Sequence, residues 1–118
     1  MPLINRHDNC VGLRLWKWGQ TQIELWFCPK NYNIGRHSHN QQDIEIMFLF
    51  GAPHFWRREN GIETSAHLRW PRNLLDVFSI RRGVVHSFHT GRLPMVVLSI
   101  ERWQPGVSPT SAATDFQT

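Results

Sequence analysis

Short apolar runs separated by glycine- and proline-containing turns constrain the fold of this chain more than any other feature. None of the runs carries a convincing helical period, and breaks such as Gly51-Ala52-Pro53 keep them short. We predict strands at Gly12–Trp18, Thr21–Cys28, Ile44–Phe50, His54–Arg58, Leu74–Ile80, Val84–Phe88 and Pro94–Trp103, with another strand around His37 and His39. Eight or nine short strands with frequent turns predict an all-β domain, either a sandwich or a barrel.

The 118 residues suit a single domain that can bury a core without disulfides. We place the β domain at residues 12–103, after a short N-terminal arm at residues 1–11. Residues 104–118 are rich in Pro, Ser, Thr and Ala, which predicts a flexible C-terminal tail. The segment Ile62–Asn73 has no clear pattern, although Trp70-Pro71 argues against a continuous helix there.

The net charge of +4 comes from 13 basic and 9 acidic residues. The basic residues are scattered, with adjacent pairs only at Arg57-Arg58 and Arg81-Arg82, so we rank nucleic acid last among the partners considered. No signal peptide pattern is present at the N-terminus, and no apolar run approaches the roughly 18 to 20 residues that cross a bilayer. These features predict a soluble cytoplasmic protein without a membrane partner, in which Cys10 and Cys28 are reduced. A disulfide between Cys10 and Cys28 is the alternative, although their spacing alone does not argue for it.

Three histidines form the candidate site. His37 and His39 are two residues apart on an extended segment, so their side chains point to the same face. An isolated pair of this kind is more often exposed on a strand, but His86 follows a second strand, and we expect the fold to bring it to the first two. Neutral imidazoles suit Zn, Cu, Fe and Ni, and an added carboxylate suits harder ions.

The sequence resembles the cupin superfamily over residues 12–103. His37, His39 and Gly51 fit the first motif of that family, and Asp76, Gly83 and His86 fit the second, although the second motif lacks its usual glycine before the aspartate and its proline. The resemblance implies a double-stranded β-helix, or jelly-roll, barrel. It also implies a divalent metal cofactor, Fe, Mn, Ni or Zn, held by the three histidines.

The family's carboxylate ligand has no single equivalent here. Asp43 follows His39 at the shorter family spacing, and we favour it slightly as the fourth ligand. Glu45 is the second alternative and requires a small bulge, while an ungapped match to Gly51 puts Ile44 at this position. The third alternative is a site of three histidines alone.

The resemblance implies a metal-dependent enzyme, dioxygenase-like or isomerase-like, acting on a small organic molecule, which could be anionic. Arg36 and Arg81 lie next to the motifs and could bind an anion, and His54 could line the cavity. The alternative is a non-catalytic cupin that binds a metabolite or carbohydrate. Cupins are commonly dimeric, and the apolar outer positions of Ile44–Phe50 lead us to expect a homodimer.

Overall fold

In a computed structural model of the chain, residues 4–7, 9–110 and 116–117 are described, with side chains at residue 4 and at residues 9–110. These residues form strands joined by turns. The strands are β1 (Ile4–His7), β2 (Cys10–Trp18), β3 (Thr21–Cys28), β4 (Asn33–His39), β5 (Gln42–Phe50), β6 (His54–Glu59), β7 (Ile62–His67), β8 (Val77–Ile80), β9 (Val85–His89), β10 (Met95–Trp103) and β11 (Phe116–Gln117). The described residues include no helix that could span a membrane.

Two antiparallel sheets pack face to face. The first has six strands in the order β1-β2-β3-β10-β5-β8, and the second has five in the order β11-β4-β9-β6-β7. Consecutive strands therefore alternate between the sheets at several points. In the six-stranded sheet, β10 lies between β3 and β5 and pairs with both. The predicted all-β class is confirmed.

The core lies between the sheets because side chains alternate along each strand. In β5, Ile44, Ile46 and Phe48 point inward and are buried, and the residues between them point outward. Phe48 is completely buried between the two sheets. Gly12 allows the Trp26 ring to lie directly over the β2 backbone, since a Cβ at residue 12 would lie 2.5 Å from Trp26.

The strands match the predicted runs closely, with differences at the ends of the chain. The N-terminal arm contributes β1, which pairs with β2 from Ile4 opposite Leu13 to His7 opposite Cys10. The segment Ile62–Asn73 divides into strand β7 and a turn region. Leu74–Ile80 forms a strand only from Val77, because residues 71–75 are in turns.

Residues 104–110 lie against the end of the barrel, where the sequence predicts the beginning of a flexible tail. The Gln20 side chain donates to the carbonyl of Val107 at 2.7 Å, and the Gln22 side chain donates to the carbonyl of Thr110 at 2.7 Å. Farther along, β11 pairs with β4, with Phe116 opposite His39. Side-chain hydrogen bonds from buried positions therefore attach a segment whose composition alone suggests no structure. The rest of the predicted tail lies outside the described residues.

Candidate metal centre

Strands β4 and β9 bring the three histidines together. The two strands are antiparallel neighbours, and His37 is directly opposite His86. His39 is two residues farther along β4, so it points to the same inner face. All three side chains are buried, between 2% and 4% exposed.

The imidazole rings surround one point inside the barrel. The ring centroids of His37 and His86 are 4.2 Å apart, and that of His39 is 5.1 Å from each of the other two. One ligand nitrogen of each ring lies within 4.8 Å of the others. Two nitrogens that share one ion lie about 3 Å apart, because metal–nitrogen bonds are about 2.1 Å long. Small ring movements would therefore bring all three nitrogens to a common ion.

Backbone carbonyls fix the tautomer of two of these rings. His37 donates from Nδ1 to the carbonyl of Gly35 at 2.8 Å, and His86 donates from Nδ1 to the carbonyl of Val84 at 3.0 Å. Because a carbonyl can only accept, Nδ1 carries the proton and Nε2 keeps a free electron pair for a metal. Burial, and then repulsion from His37, lowers the pKa of His86 to about 3, so its ring is neutral at pH 7. Three buried histidines of this kind could hold a metal ion.

The structure does not bring Asp43, the favoured fourth ligand, to the histidines. Asp43 lies on the outward face of β5 and accepts a hydrogen bond from the backbone N–H of Arg82 at 2.8 Å. Glu45 also points outward and forms an ion pair with Arg102. The inward position between them is Ile44, which has no ligand atom. Of the three ligand sets considered, the described residues therefore form the one with three histidines and no carboxylate.

The three residues predicted to bind substrate also lie outside the cluster. The Arg36 guanidinium is 4.0 Å from the centre of the Trp56 ring. Arg81 is exposed in the turn after β8. His54 is exposed and stacks on His67, with ring centroids 4.0 Å apart. Arg36 and His54 point away from the interior, since neighbouring strand residues face opposite sides, and Arg81 lies beyond the end of β8.

A cavity of about 80 Å³ adjoins the three histidines. Its other lining residues are apolar or sulfur-bearing apart from Ser99: Cys10, Trp26, Cys28, Ile34, Ile44, Ile46, Phe88, Met95 and Val97. No charged side chain of the described chain lines it. The sequence analysis missed these residues because they come from inward positions of different strands, whose neighbours only the sheet register identifies.

Arg57 is a further residue that the sequence did not single out. It is directly opposite His86 on β6, so the two side chains share the inner face. Its guanidinium donates to the carbonyl of Ser79 at 2.7 Å and so links the two sheets at the edge of the barrel. Arg57 is the basic side chain nearest to His86 in the sheet register.

A second buried polar group lies on the six-stranded sheet. Glu24 and Glu101 are completely buried, and Gln22 donates to Glu101 Oε1 at 3.0 Å. Burial raises the pKa of Glu101 to about 10, with further contributions from a hydrogen bond and repulsion involving Glu24. Glu101 is therefore a neutral acid at pH 7. Ser99, two residues away on the same face of β10, lines the cavity.

The similarity of this chain to known proteins is found in its structure and not in its sequence. No protein-family model matches the sequence, and no curated protein is significantly similar to it. Among solved structures, the capsular polysaccharide assembling protein CapF of Staphylococcus aureus matches with a TM-score of 0.75 at 16% identity, covering 99% of this chain and 34% of CapF. The chain thus spans about a third of the CapF chain.

Two other structures match most of the chain. Drosophila melanogaster CENP-C bound to CAL1 has a TM-score of 0.70 at 14% identity, covering 85% of this chain and 79% of the other. A related structure of the same protein is described as its cupin domain. The chain has the cupin fold. A third match, the hydroxypropylphosphonic acid epoxidase of S. wedmorenis, has a TM-score of 0.67 at 12% identity and covers 84% of this chain and 54% of the epoxidase.

These matches confirm the predicted jelly-roll architecture. A protein with a double-stranded β-helix domain from Klebsiella pneumoniae also matches, with a TM-score of 0.60 and 15% identity, covering 87% of this chain and 84% of that one. Because one barrel hosts many activities, the shared fold does not assign a reaction.

Proposed function

We propose that this cupin is a metal-dependent enzyme in which His37, His39 and His86 hold a divalent ion, Fe, Mn, Ni or Zn, and a small organic molecule enters the adjoining cavity. The observation that carries the proposal is a buried set of three imidazoles, two with carbonyl-fixed tautomers, beside a cavity. Three protein ligands leave positions open on the ion. Through those positions a bound metal supplies Lewis-acid or oxygen chemistry, as in isomerases and dioxygenases.

The chain's own residues perform the binding and positioning. The Gly35 and Val84 carbonyls hold two imidazoles in the orientation that keeps Nε2 available. The apolar walls, including Trp26 and Phe88, exclude water and select the apolar part of a substrate. Ligand pockets usually measure about 300–1,000 Å³, so a cavity of about 80 Å³ accommodates a very small molecule or one end of a larger one.

The cavity lining modifies the expectation of an anionic substrate. Arg36, Arg81 and His54 lie outside it, so they do not support a carboxylate or phosphate in the cavity. Arg57 is the remaining candidate for an anionic group, at the edge of the inner face beside His86. We therefore favour a neutral, mainly apolar substrate, with any anionic group extending toward Arg57.

The alternative is a non-catalytic cupin that binds a metabolite or carbohydrate, with any metal in a structural role. The bulky Ile44 and Ile46 side chains in the cavity wall favour this alternative, because they leave little room for substrate beside the histidines. The apolar lining favours an apolar metabolite over a carbohydrate, which needs hydrogen-bonding groups.

The deciding experiment measures metal content in protein purified without an affinity tag or chelator. Wild type, His37→Ala and His86→Ala are compared by elemental mass spectrometry, and His54→Ala is the matched control because His54 is exposed on the opposite face. We expect near-stoichiometric metal in wild type and in the control, and its loss in both site variants. Wild-type protein that cannot be loaded with Fe, Mn, Ni or Zn would contradict the metal-dependent function. Oxygen uptake and isomerase screens on loaded protein then separate the enzyme from the binding alternative.

We also infer that two copies pair through the outer face of the six-stranded sheet. The register aligns one outward apolar residue on each of its strands: Ile4, Leu13, Leu25, Leu98, Met47 and Val77. The 43 residues of these six strands, at about 3.3 Å a residue and about 4.8 Å between strands, cover roughly 700 Å². One partner contributes about 800 Å² to a stable interface of standard size. A second copy offers a matching apolar surface.

Light scattering coupled to size-exclusion chromatography tests this homodimer. We expect wild type to elute as a dimer and Leu98→Glu to be monomeric, while Ser65→Glu, a control on the outward face of β7, stays dimeric. A monomeric wild type would refute the pairing. A cytoplasmic location remains a prediction, supported by the two free cysteines.

A further inference from the structure

The two cysteines of the chain face each other inside the barrel. In the β2–β3 pair Val11 is opposite Phe27, so the next position places Cys10 opposite Cys28. The side chains are 1% and 3% exposed, and their Sγ atoms are joined by a hydrogen bond 2.6 Å long. Both thiols line the cavity that adjoins the three histidines. Because disulfide bonds are about 2.0 Å long, very little movement separates this dithiol from a bonded pair.

We propose that Cys10 and Cys28 are a reversible redox pair that a peroxide oxidises to a disulfide through the cavity. In the first step the sulfur of Cys10 attacks one oxygen of the peroxide, the O–O bond breaks, and Cys10 becomes a sulfenic acid. The other oxygen takes up the Cys10 thiol proton and leaves as water, or as an alcohol for an organic peroxide. In the second step Cys28 sulfur attacks the Cys10 sulfur and the S–O bond breaks. For hydrogen peroxide, the two thiols lose two electrons and two hydrogen atoms, and two water molecules form.

The surroundings of Cys28 favour Cys10 as the thiol that reacts first. The hydrogen bond with Cys10, then burial, then repulsion from Cys10, raises the pKa of Cys28 far above its ordinary value. Cys28 therefore keeps its proton in the first step and gives it to the departing oxygen in the second. A molecule of the size of water occupies about 30 Å³, so hydrogen peroxide fits in a cavity of about 80 Å³.

Oxidation would change the cavity wall but leave the histidines in place. The disulfide connects two strands that are already hydrogen-bonded neighbours, so the sheet need not rearrange. A cysteine thiolate can also bind a metal ion. Once Cys10 and Cys28 are joined in a disulfide, neither can form a thiolate. The three histidines and the thioether of Met95 are then the remaining nitrogen and sulfur ligands of this cavity.

The test uses the full-length chain, stripped of metal with a chelator, reduced, and then exposed to hydrogen peroxide. We expect the intact mass to fall by two hydrogen atoms, both thiols to become unreactive toward an alkylating reagent in denaturant, and dithiothreitol to restore them. The protein should migrate as one chain on a non-reducing denaturing gel. The proposal would be overturned by any of three results: two free thiols after treatment, a disulfide between chains, or oxidation without loss of the two hydrogen atoms.

Single variants test the order of the steps. In Cys28→Ser, the Cys10 sulfenic acid should persist and be captured by dimedone, whereas Cys10→Ser should leave Cys28 unmodified under the same exposure. Dimedone capture on Cys28 but not on Cys10 would overturn the assigned roles. The mass measurement on wild type shows whether the disulfide forms, even if one of the variants does not fold.

Discussion

Replacement of Glu101 by Gln should make this protein more stable at neutral pH and remove most of its pH dependence between pH 7 and 8.5. Glu101 is completely buried next to Glu24, and its pKa is raised from 4.5 to about 10. Folding therefore requires this carboxyl to be protonated at pH 7, where the unfolded chain would ionise it. Glutamine has the same shape, can still accept from Gln22, and carries no charge at any pH.

The sign and size follow from proton linkage. A group whose pKa is higher in the folded state contributes its full stability below the unfolded pKa and loses it as pH rises toward the folded pKa. For Glu101 the loss begins near pH 4.5 and continues to about pH 10. At about 1.4 kcal/mol for each pH unit, the loss by pH 7 is about 3 kcal/mol. We expect Glu101→Gln to recover most of this free energy.

The assay is urea unfolding followed by circular dichroism at several pH values between 7 and 8.5, above the range in which the lowered pKa of His86 makes stability rise with pH. Glu45→Gln is the matched control, because Glu45 forms its ion pair on the outward face of the neighbouring strand. Wild type and control should lose stability steadily as pH rises, and Glu101→Gln should show a nearly flat profile. If Glu101→Gln retained the wild-type slope, the assignment of a buried neutral carboxyl would be wrong.

Three further substitutions test the packing and the ligand set. Gly12→Ala should lower the free energy of unfolding by about 1–3 kcal/mol, because the new Cβ would lie 2.5 Å from Trp26. Gly35→Ala is the control in the same urea titration and should change little, because no atom lies within 4 Å of its Cβ. Asp43→Asn should leave the metal content measured by elemental mass spectrometry unchanged, since Asp43 faces outward; loss of metal would restore it as a ligand. Ile44→Glu should add an inward carboxylate next to the histidines and shift metal retention toward Mn and Fe, and unchanged selectivity in competition loading would contradict that placement.

Strand periodicity explains how much of the site was predictable from the sequence. His37 and His39 share a face because they are two apart on a strand, and this geometry needs no knowledge of the fold. The pairing with His86 needed the second cupin motif, because nothing local connects residues so far apart in the chain. The carbonyls of Gly35 and Val84 were not predictable, since every residue carries the same backbone groups.

The carboxylate choice shows where periodicity alone is insufficient. Both faces of the strand at residues 43–50 carry apolar side chains. Alternation alone therefore does not reveal which face points inward. Pairing with β10 and β8 places Ile44 inside and puts Asp43 and Glu45 outside. A shift of one residue would reverse this arrangement, which is why a spacing of four or five residues after His39 was not decisive.

The sequence by itself determined the all-β class, most strand positions and the histidine pair, because these depend on alternation and turn residues within short segments. The tertiary structure decided which distant residues share the interior. Near the turn Lys17 pairs with Gln22, but a bulge between Arg14 and Trp16 shifts the β2–β3 register by one residue, and only then do Cys10 and Cys28 face each other. The same register places both thiols inside the barrel, since one additional residue in a strand exchanges its two faces.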